Sequence, residues 1–589
     1  MAGSPHDDHY SVKLQWQHTI ACQLSSLLDD CISPDLICDS MALPKQSKYG
    51  QYALPLDRIH SHLKQEPWCS MTATETAQWI VAKLTPSDTI EKATQLSTFV
   101  NITIPRATYM KAVLNQVIQT KTKYGFGTSA ISKDEKKILS CALPQLPDLL
   151  DANHFRGLVL ATFLQRAYRL EGCDVRLVNT MTVWNDNFGY LALAFEKYGN
   201  SDGKDDLSSL NQIYLRIKQE AVEDESIHDQ ARQYLLQLEQ GQEAMIKVYH
   251  SLEAIFTKEY SQLLEHRLPF SFDTTPNTQQ PWQALADLYR HMDQSSQVIQ
   301  TPEGEWKIDL NGRVLLLRDR HGISTQLTRD LLHHATTTYH IAGQHHTCHL
   351  ETVRQTLTAL NLTDNIFRHI LFGKVKHHKE DLVACLDGLQ RTIVEIIEEN
   401  EGTEKYDAMM AQLGQLSETT RTKMTSDPQN ISNDELMHSH ADRLGVCIML
   451  IDPLTLRRNK PMAFSSHPDV FGNSGVFLQF IHSRLCGIER QCDVTLDTTV
   501  VDHDEAFEVF DTVAQFPYVM HQALDTMEPS LLVTYLFKLA RTTNQALYRL
   551  RIKGAPPHLA NPRWTLFWAA KQTLANGLAV LGLEAVSRM

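Results

Sequence analysis

The spacing of apolar residues predicts a small mixed domain near the N-terminus. A helical period runs through residues 74–84 and again through 107–119, and FVNITI at 99–104 is typical of a strand. Before these elements, residues 1–40 are predicted to be weakly structured. The pattern therefore predicts an α+β domain over residues 41–125.

Residues 135–390 alternate between strand-like and helical segments. Residues 155–172 have an amphipathic helical period, whereas VRLV at 175–178 and RVLLL at 313–317 are typical of strands. Such alternation favours a parallel sheet with crossover helices. A highly charged stretch of helical period predicts a helical insertion into this core at about 205–265.

The rest of the chain, over residues 391–589, has an almost continuous helical period, which predicts an all-α domain. A length of 589 residues fits about three or four domains. The contents of 42% apolar and 21% charged residues are ordinary for a globular protein.

Composition also bears on location. No window approaches 18 uninterrupted apolar residues, and MAGSPHDDHY at the start does not resemble a targeting signal. The eleven cysteines are odd in number and form no C-x-x-C pair, which is typical of free thiols in a reducing compartment. We therefore predict a cytoplasmic protein without a membrane partner.

Charge is distributed unevenly along the chain. Residues 531–589 contain eight basic residues and one acidic residue, a net charge of +7, so that the remainder carries −21 of the total of −14. A basic module on an acidic body is what binding to a phosphate backbone requires. A basic face that is merely solvated explains the charge alone equally well.

Several stretches of the chain resemble arginyl-tRNA synthetases, and they occur in the order found in that family. They are KYGQYALPL at 48–56, FVNITIPRATYMKAVL at 99–114, LEGCDVRLVNTMTVWNDNFGYLALAFEKYG at 170–199, HGISTQLTRDLLHHA at 321–335, FLQFIHSRLCGIER at 477–490 and the helical segment 528–589. The resemblance implies a class I synthetase-like Rossmann core with a helical insertion. It also implies a small N-terminal α+β domain that contacts the tRNA elbow and a C-terminal helical, DALR-like anticodon-binding domain.

Two motifs that handle ATP in this family are altered here. The family's HAGHLRS matches DANHFRG at 151–157, where the second His is kept as His154, the first is Asp151 and the Gly is Asn153. The KMSKS-type loop matches residues 376–381, where the final lysine is Glu380. A carboxylate ~4 Å from a phosphate oxygen costs roughly 4 kcal/mol at an effective dielectric constant of 20. We therefore expect no use of ATP and no cofactor.

The arginine-binding motif is better preserved. Asp330 of the LTRD motif matches the carboxylate that binds the arginine guanidinium in the family, and such a pair can be bidentate. A helix-start acid with no ligand is the alternative. Gln326 replaces the usual Tyr before LTRD, Gln145 takes the place of an Asn at the α-amino group, and His346 replaces the pocket Gln.

An arginyl pocket and tRNA-binding domains without ATP chemistry suggest use of a ready-made arginyl-tRNA. On that pattern the chain looks like a fungal arginine-containing cyclodipeptide synthase. Such an enzyme forms cyclo-Arg-Xaa from arginyl-tRNA and a second aminoacyl-tRNA. Two alternatives stay open: an inactive synthetase paralogue that binds arginine tRNA and recruits a partner, and a divergent but active arginyl-tRNA synthetase.

This hypothesis assigns roles to particular residues. His154 is the candidate general base or ester-contacting donor, with Asp151 and Asn153 beside it. Trp184 and Asn179 are candidates for a second pocket, although a buried core Trp is the favoured alternative for Trp184.

The resemblance also implies tRNA-binding residues in both terminal domains. The candidates are Tyr52, Asn101, Arg484, Arg541, Arg549, Arg551, Lys553 and Met589. The run of histidines between 333 and 349 matches no standard zinc spacing, so no metal is predicted. We expect the protein to be a monomer.

Overall fold

The structure is a computed structural model. The residues it describes are 11–42, 44, 49–65, 67–127, 136–146, 150–179, 184–199, 206–273, 280–335, 337–363, 368–376, 382–398, 433–463 and 474–588.

The N-terminal domain is a three-stranded antiparallel sheet covered by helices. Its strands lie in the order β1-β3-β2, with Tyr52 paired to Ile102. The predicted strand at 99–104 and helix at 107–119 are confirmed as β3 and α5. Its elements are α1 (Val12–Leu27), α2 (Pro34–Ser40), β1 (Tyr52–Pro55), α3 (Leu56–Ile59), α4 (Ala73–Lys83), β2 (Lys92–Leu96), β3 (Phe99–Thr103) and α5 (Arg106–Thr120).

The prediction of weak structure over residues 1–40 is wrong from residue 11 onward, because α1 and α2 are ordered and packed. The buried face of α1 includes three polar side chains, those of Lys13, Gln17 and Ser25, which hides its helical pattern in the sequence. Lys13 is buried and its Nζ lies 2.8 Å from Oδ1 of Asp511. Gln17 is also buried and donates to the carbonyl of Cys38 over 2.8 Å.

The core contains a four-stranded parallel sheet in the order β10-β9-β4-β5. The helix α6 packs against three of its strands, β4, β5 and β9. The strands of this sheet and the helices that connect them are β4 (Lys137–Cys141), α6 (Ala152–Leu170), β5 (Val175–Leu177), α12 (Gln326–His334), β9 (Tyr339–Gly343), α13 (Thr347–Ala359) and β10 (Arg368–Phe372).

The predicted strand at 313–317 exists as β8 (Arg313–Arg318), but it lies outside the parallel sheet. It belongs to a separate antiparallel sheet with β6 (Val298–Gln300) and β7 (Trp306–Leu310). Asn311 and Gly312 both have positive φ, which is what a tight hairpin turn between β7 and β8 needs. This local Asn-Gly turn, rather than a crossover, determines where the strand pairs.

A set of helices between β5 and β6 forms the insertion. They are α7 (Phe188–Tyr198), α8 (Leu207–Glu223), α9 (Ser226–Glu239), α10 (Glu243–Ser261) and α11 (Pro281–Asp293). The first of them, α7, packs against both α8 and α9. At Gly189 the backbone of α7 approaches Ala231 of α9 so closely that a Cβ would lie 1.8 Å from its carbonyl oxygen.

The C-terminal part is helical, and it is tied to the other domains. The carboxamide of Asn576 donates to the carbonyls of Lys121 and Tyr124, each over 3.0 Å, which joins it to the N-terminal domain. Its strand β12 (Met462–Ala463) pairs with β11 (Val375–Lys376) of the core. The helices are α14 (Leu382–Glu398), α15 (Asn433–Thr455), α16 (Gly475–Gln491), α17 (Asp504–Ala514), α18 (Phe516–Asp525), α19 (Ser530–Arg549) and α20 (Pro557–Val580).

Among the described residues, no helix combines the length and the apolar character that crossing a bilayer requires.

The close approach at Gly189 gives a test of how the insertion packs. In Gly189→Ala the new methyl group must displace backbone of α9, so we expect the free energy of unfolding to fall by about 1–3 kcal/mol. Gly388→Ala in α14 is the control, because nothing lies within 4 Å of its added Cβ and the helix propensity of Ala should be neutral or favourable. Equal stability of the two variants in urea unfolding would contradict the packing described here.

Candidate functional site

The candidate site lies at the carboxyl edge of the parallel sheet, where chain segments leave four neighbouring strands. A crossover helix returns antiparallel to its strands, so α6 and α12 both begin at this edge. The guanidinium of Arg156, near the start of α6, donates to the carbonyl of Gly373 just after β10 over 2.8 Å. This hydrogen bond fixes the start of α6 against the last strand of the sheet.

Asp151 caps the N-terminus of α6. Its Oδ1 accepts from the backbone N–H groups of Asn153, over 2.9 Å, and His154, over 3.0 Å. These are two of the donors that a helix N-terminus leaves unpaired. The carboxylate therefore occupies the place where a helix would otherwise bind an external anion.

The ring of His154 folds back onto the same carboxylate, with Nδ1 2.7 Å from Oδ1 of Asp151. The backbone N–H of Asp151 donates to the same Nδ1 over 3.3 Å, which completes a capping box between Asp151 and His154. Burial raises the pKa of Asp151, but the hydrogen bonds and charge of His154 outweigh it and the pKa lies below its ordinary value. Asp151 is thus negatively charged at neutral pH. Asn153 lies beside it, with its amide nitrogen 3.5 Å from Oδ2.

Asp330 lies on α12 and is largely buried, with 12% of its side chain exposed. The carboxamide of Gln326 donates to its Oδ1 over 2.8 Å, and Nε2 of His349 lies 2.6 Å from its Oδ2. The hydrogen bond to Asp330 raises the pKa of His349 above its ordinary value, although burial opposes the shift. The structure thus brings together Asp330 and Gln326 as predicted, and adds His349.

His346 lies in the turn Gln344–His346 after β9, with its ring 4.0 Å from that of His345. Burial and the neighbouring His345, His349 and His154 lower the pKa of His346 to about 4, against the opposing effect of Asp330. His346 is therefore a neutral imidazole that interacts electrostatically with His154 and Asp330. Gln145 is half-buried in the segment after β4, so its predicted contact with an α-amino group stays a prediction.

The second-pocket residues do not form a pocket wall together. Trp184 is 3% exposed and belongs to the hydrophobic core, where its indole nitrogen donates to Oε1 of Glu239 over 3.2 Å. Asn179 is exposed beyond the end of β5. The prediction that Trp184 lines a second pocket is therefore wrong, because its ring faces the core.

Two of the predicted tRNA contacts are also wrong. Tyr52 is fully buried and its hydroxyl donates to the carbonyl of Lys13 over 2.6 Å. Asn101 is 5% exposed in the central strand β3. Neither side chain can reach a nucleic acid.

The basic residues of the helical domain are mostly accessible. Arg541 on α19 and Arg551 and Lys553 in the turn after it are exposed, and the side chain of Arg549 is 74% exposed. Arg484 is instead half-buried and donates to Oδ1 of Asn544 over 2.6 Å. The remaining candidate, Met589, lies outside the described residues, as does Glu380.

Sequence reasoning missed a buried charge cluster beneath this site. Glu239, at the end of α9, and Arg329, next to Asp330, have side chains 3% and 1% exposed, and Arg329 also pairs with Asp186. Burial of a charged side chain costs free energy unless the charge is paired. A Glu and an Arg at core-facing helical positions could therefore have indicated a buried ion pair.

Comparison with known proteins bears on the whole chain. Residues 113–331 match the family of class I tRNA synthetases (R), catalytic domain, and residues 478–589 match the DALR anticodon binding domain. The architecture is similar to the arginyl-tRNA synthetases of Thermus thermophilus and Plasmodium falciparum. Their TM-scores are 0.72 and 0.73, at 16% and 15% identity, each over 97% of this chain and 100% and 99% of theirs. The chain has an arginyl-tRNA synthetase-like class I fold with a DALR domain.

Relatives of this synthetase-like chain match it almost end to end. A probable cytoplasmic arginine–tRNA ligase of Dictyostelium discoideum is 24% identical over 98% of this chain and 100% of its own length. The mitochondrial arginine–tRNA ligase of Saccharomyces cerevisiae is 24% identical over 95% of this chain and 87% of its own. Because these relatives include proteins of both compartments, the cytoplasmic location stays a prediction.

These matches overturn the predicted cyclodipeptide synthase. The similar proteins are arginine–tRNA ligases, and the matched families are a synthetase catalytic domain and an anticodon-binding domain. A second aminoacyl-tRNA likewise has no support, since Trp184 was to line its pocket and is buried in the core.

A buried histidine below the site makes stability pH-dependent. His340 on β9 contacts Oγ of Ser140 through Nδ1 at 2.7 Å, and burial lowers its pKa to about 3. Below about pH 6.5 the unfolded chain binds a proton that the folded His340 does not, so stability is full above that pH and falls below it.

We therefore expect His340→Asn to flatten the decline in unfolding free energy between pH 6.5 and 5, by up to about 1.4 kcal/mol per pH unit. Equilibrium urea unfolding measures it. His558→Asn is the control, because His558 is exposed and should leave the slope unchanged. An identical slope for the wild type and His340→Asn would contradict the assignment.

Proposed function

We propose that this protein binds arginine tRNA and binds an arginyl group at Asp330, without activating arginine with ATP. The arginyl seat is the site formed by Asp330 with Gln326 and His349. The observation that supports the absence of ATP-dependent activation is the carboxylate of Asp151, which accepts from the backbone N–H groups at the start of α6. On this proposal, the domain that matches the synthetase catalytic family binds the arginyl group, and the protein as a whole binds the tRNA.

The negative charge at the start of α6 disfavours ATP. The N-terminus of a helix usually attracts phosphate because its free N–H groups and dipole favour an anion. Here Asp151 satisfies two of those N–H groups and adds a negative charge at the same point. A triphosphate would have to displace this carboxylate or lie against it, and a separation of ~4 Å costs roughly 4 kcal/mol at an effective dielectric constant of 20.

The geometry around Asp330 supports the binding of an arginyl group. The carboxylate is held at both oxygens by Gln326 and His349, which fixes its orientation. A carboxylate has about four acceptor positions, so two neutral or charged donors leave room for the two parallel N–H groups of a guanidinium. The neutral His346 nearby adds a polar wall without a competing positive charge at neutral pH.

The DALR domain and its exposed basic residues support the binding of tRNA. Arg541, Arg549, Arg551 and Lys553 lie along α19 and the turn that follows it. Basic side chains on one element give the sequence-independent attraction that a phosphate backbone requires. The similar proteins are named as arginine–tRNA ligases, which favours arginine tRNA over other nucleic acids.

A second candidate function is arginine–tRNA ligation itself. It is favoured by the relatives, which are arginine–tRNA ligases and match almost the entire chain. The two functions share the arginyl seat and the tRNA, and they differ in one step, the attack of the arginine carboxylate on the α-phosphate of ATP.

Pyrophosphate exchange separates the two functions. With arginine, ATP and arginine tRNA present, we expect no arginine-dependent exchange, because Asp151 opposes the triphosphate. The cytoplasmic arginine–tRNA ligase of Saccharomyces cerevisiae serves as the positive control. Asp151→Asn keeps the helix cap and removes the charge, so it should bind ATP at least about tenfold more tightly than the wild type. Exchange at the rate of the control enzyme would establish ligation instead.

The salt dependence of tRNA binding tests the basic surface. Arg549→Ala/Arg551→Ala should weaken binding of arginine tRNA and reduce the slope of log K against log salt by roughly 0.7–0.9 for each phosphate that the variant no longer neutralises. Lys247→Ala/Lys258→Ala on α10 of the insertion removes the same charge from another exposed surface and is the matched control. Equal effects of the two pairs would show that only net charge matters, and would refute the assigned surface.

A further inference from the structure

A single carboxylate joins the helical insertion to the segment that carries the arginyl seat. Glu239, the last residue of α9, accepts from the backbone N–H of Ser324 over 2.9 Å and from its hydroxyl over 2.5 Å. It also accepts from the indole of Trp184. Burial raises the pKa of Glu239, while these donors and the Arg329 guanidinium oppose the shift.

The guanidinium of Arg329 completes the cluster from the other side. Its Nη1 donates to the carbonyl of Ser324 over 2.7 Å and to the hydroxyl over 2.9 Å, and lies 3.7 Å from Oε1 of Glu239. Its Nη2 pairs with Asp186, whose side chain is 68% exposed. Glu239 is therefore the buried one of the two carboxylates that balance Arg329.

Both anchors act on the start of α12. Ser324 precedes Thr325, the N-cap of α12, whose hydroxyl donates to the carbonyl of Leu316 on β8 over 3.0 Å. Asp330 lies one turn further along the helix, where Gln326 holds it. Fixing Ser324 thus fixes the position and the rotation of the turn that presents Asp330.

Glu239 also keeps the guanidinium of Arg329 apart from the carboxylate of Asp330. Neighbouring side chains on a helix diverge by about 100°, so Arg329 and Asp330 leave α12 in different directions. Glu239 holds the Arg329 guanidinium against the insertion. Arg329 is therefore not a partner of Asp330, whose donors are Gln326 and His349.

We propose that Glu239 is a positioning residue that holds Ser324 and Arg329, so that Asp330 faces an arginyl group in the orientation that a bidentate pair requires. The inference rests on the proposed arginyl seat, and it gives the insertion a part in selecting arginine. A bidentate pair depends on orientation, whereas the compact ammonium group of lysine depends mainly on distance.

The experiment compares L-arginine with L-lysine on the full chain. Binding of labelled L-arginine is measured by equilibrium dialysis, and L-lysine is measured as its competitor. Glu239→Gln keeps the side-chain volume and removes the charge. We expect it to weaken L-arginine binding about tenfold, as removal of a charge-assisted hydrogen bond does, while L-lysine changes by less than about threefold. The selectivity for arginine should therefore fall.

The control is Glu220→Gln on α8. Glu220 is a partly exposed insertion carboxylate that accepts from Tyr198 of α7 over 2.6 Å and from Arg216 of its own helix over 3.2 Å, so its hydrogen bonds stay within the insertion. It should leave both ligands unchanged. A second variant, Ser324→Ala, keeps the buried charges and removes one anchor, so it should lower selectivity in the same direction as Glu239→Gln.

The outcomes separate a failure of the arginyl seat from a failure of the positioning role of Glu239. If wild-type protein fails to bind L-arginine, or if Asp330→Ala binds it equally well, the arginyl seat itself is refuted. If the seat is sound and Glu239→Gln retains wild-type selectivity, or weakens both ligands equally, Glu239 has no positioning role. The far-ultraviolet circular dichroism spectrum of Glu239→Gln should match that of the wild type, which shows that the variant is folded.

Discussion

Parallel strand pairing is the constraint on which the candidate site depends. Four parallel strands cannot be joined by hairpins, so the chain must cross back over the sheet between them. Each crossover helix then starts at the edge where the strands end. This is why α6 and α12, which are far apart in the sequence, bring Asp151 and Asp330 to one edge.

The charges gathered at that edge give it a definite preference. Asp151 and Asp330 are partly accessible carboxylates, and the buried Glu239 is balanced by Arg329 below them. The neutral imidazole of His346 supplies polarity without a positive charge. An edge of this kind favours a cation such as a guanidinium and disfavours a triphosphate, which is the reverse of what a nucleotide-binding helix terminus provides.

Much of the architecture could be predicted from sequence because it depends on local periodicity. The helix α5 and the strand β3 were predicted correctly, since Val100 and Ile102 alternate along β3 and the buried apolar residues of α5 recur at helical spacing. The helix α1 was missed because Lys13 occupies a buried position and finds its counter-charge on Asp511. Such pairing across the chain leaves no signature in a local pattern.

The candidate site was predictable only in part, for a similar reason. Asp330 and Gln326 are four residues apart on one helix, so spacing alone places them together. The contact of Asp330 with His349 depends on how β9 returns the chain to the same edge. Tyr52 and Asn101 match family residues by type, but the burial of their side chains depends on packing against α1 and the other strands.

The ion pair between Lys13 and Asp511 also has a consequence for biosynthesis. Its partners are separated by 498 residues, so at 5–20 residues per second the ribosome adds Asp511 roughly 25–100 s after Lys13. During that interval the ammonium group of Lys13 has no access to this counter-charge. The Lys13 end of α1 can therefore reach its final packing only after α17 has been made, whereas the packing of α1 on α2 and α5 needs only the N-terminal domain.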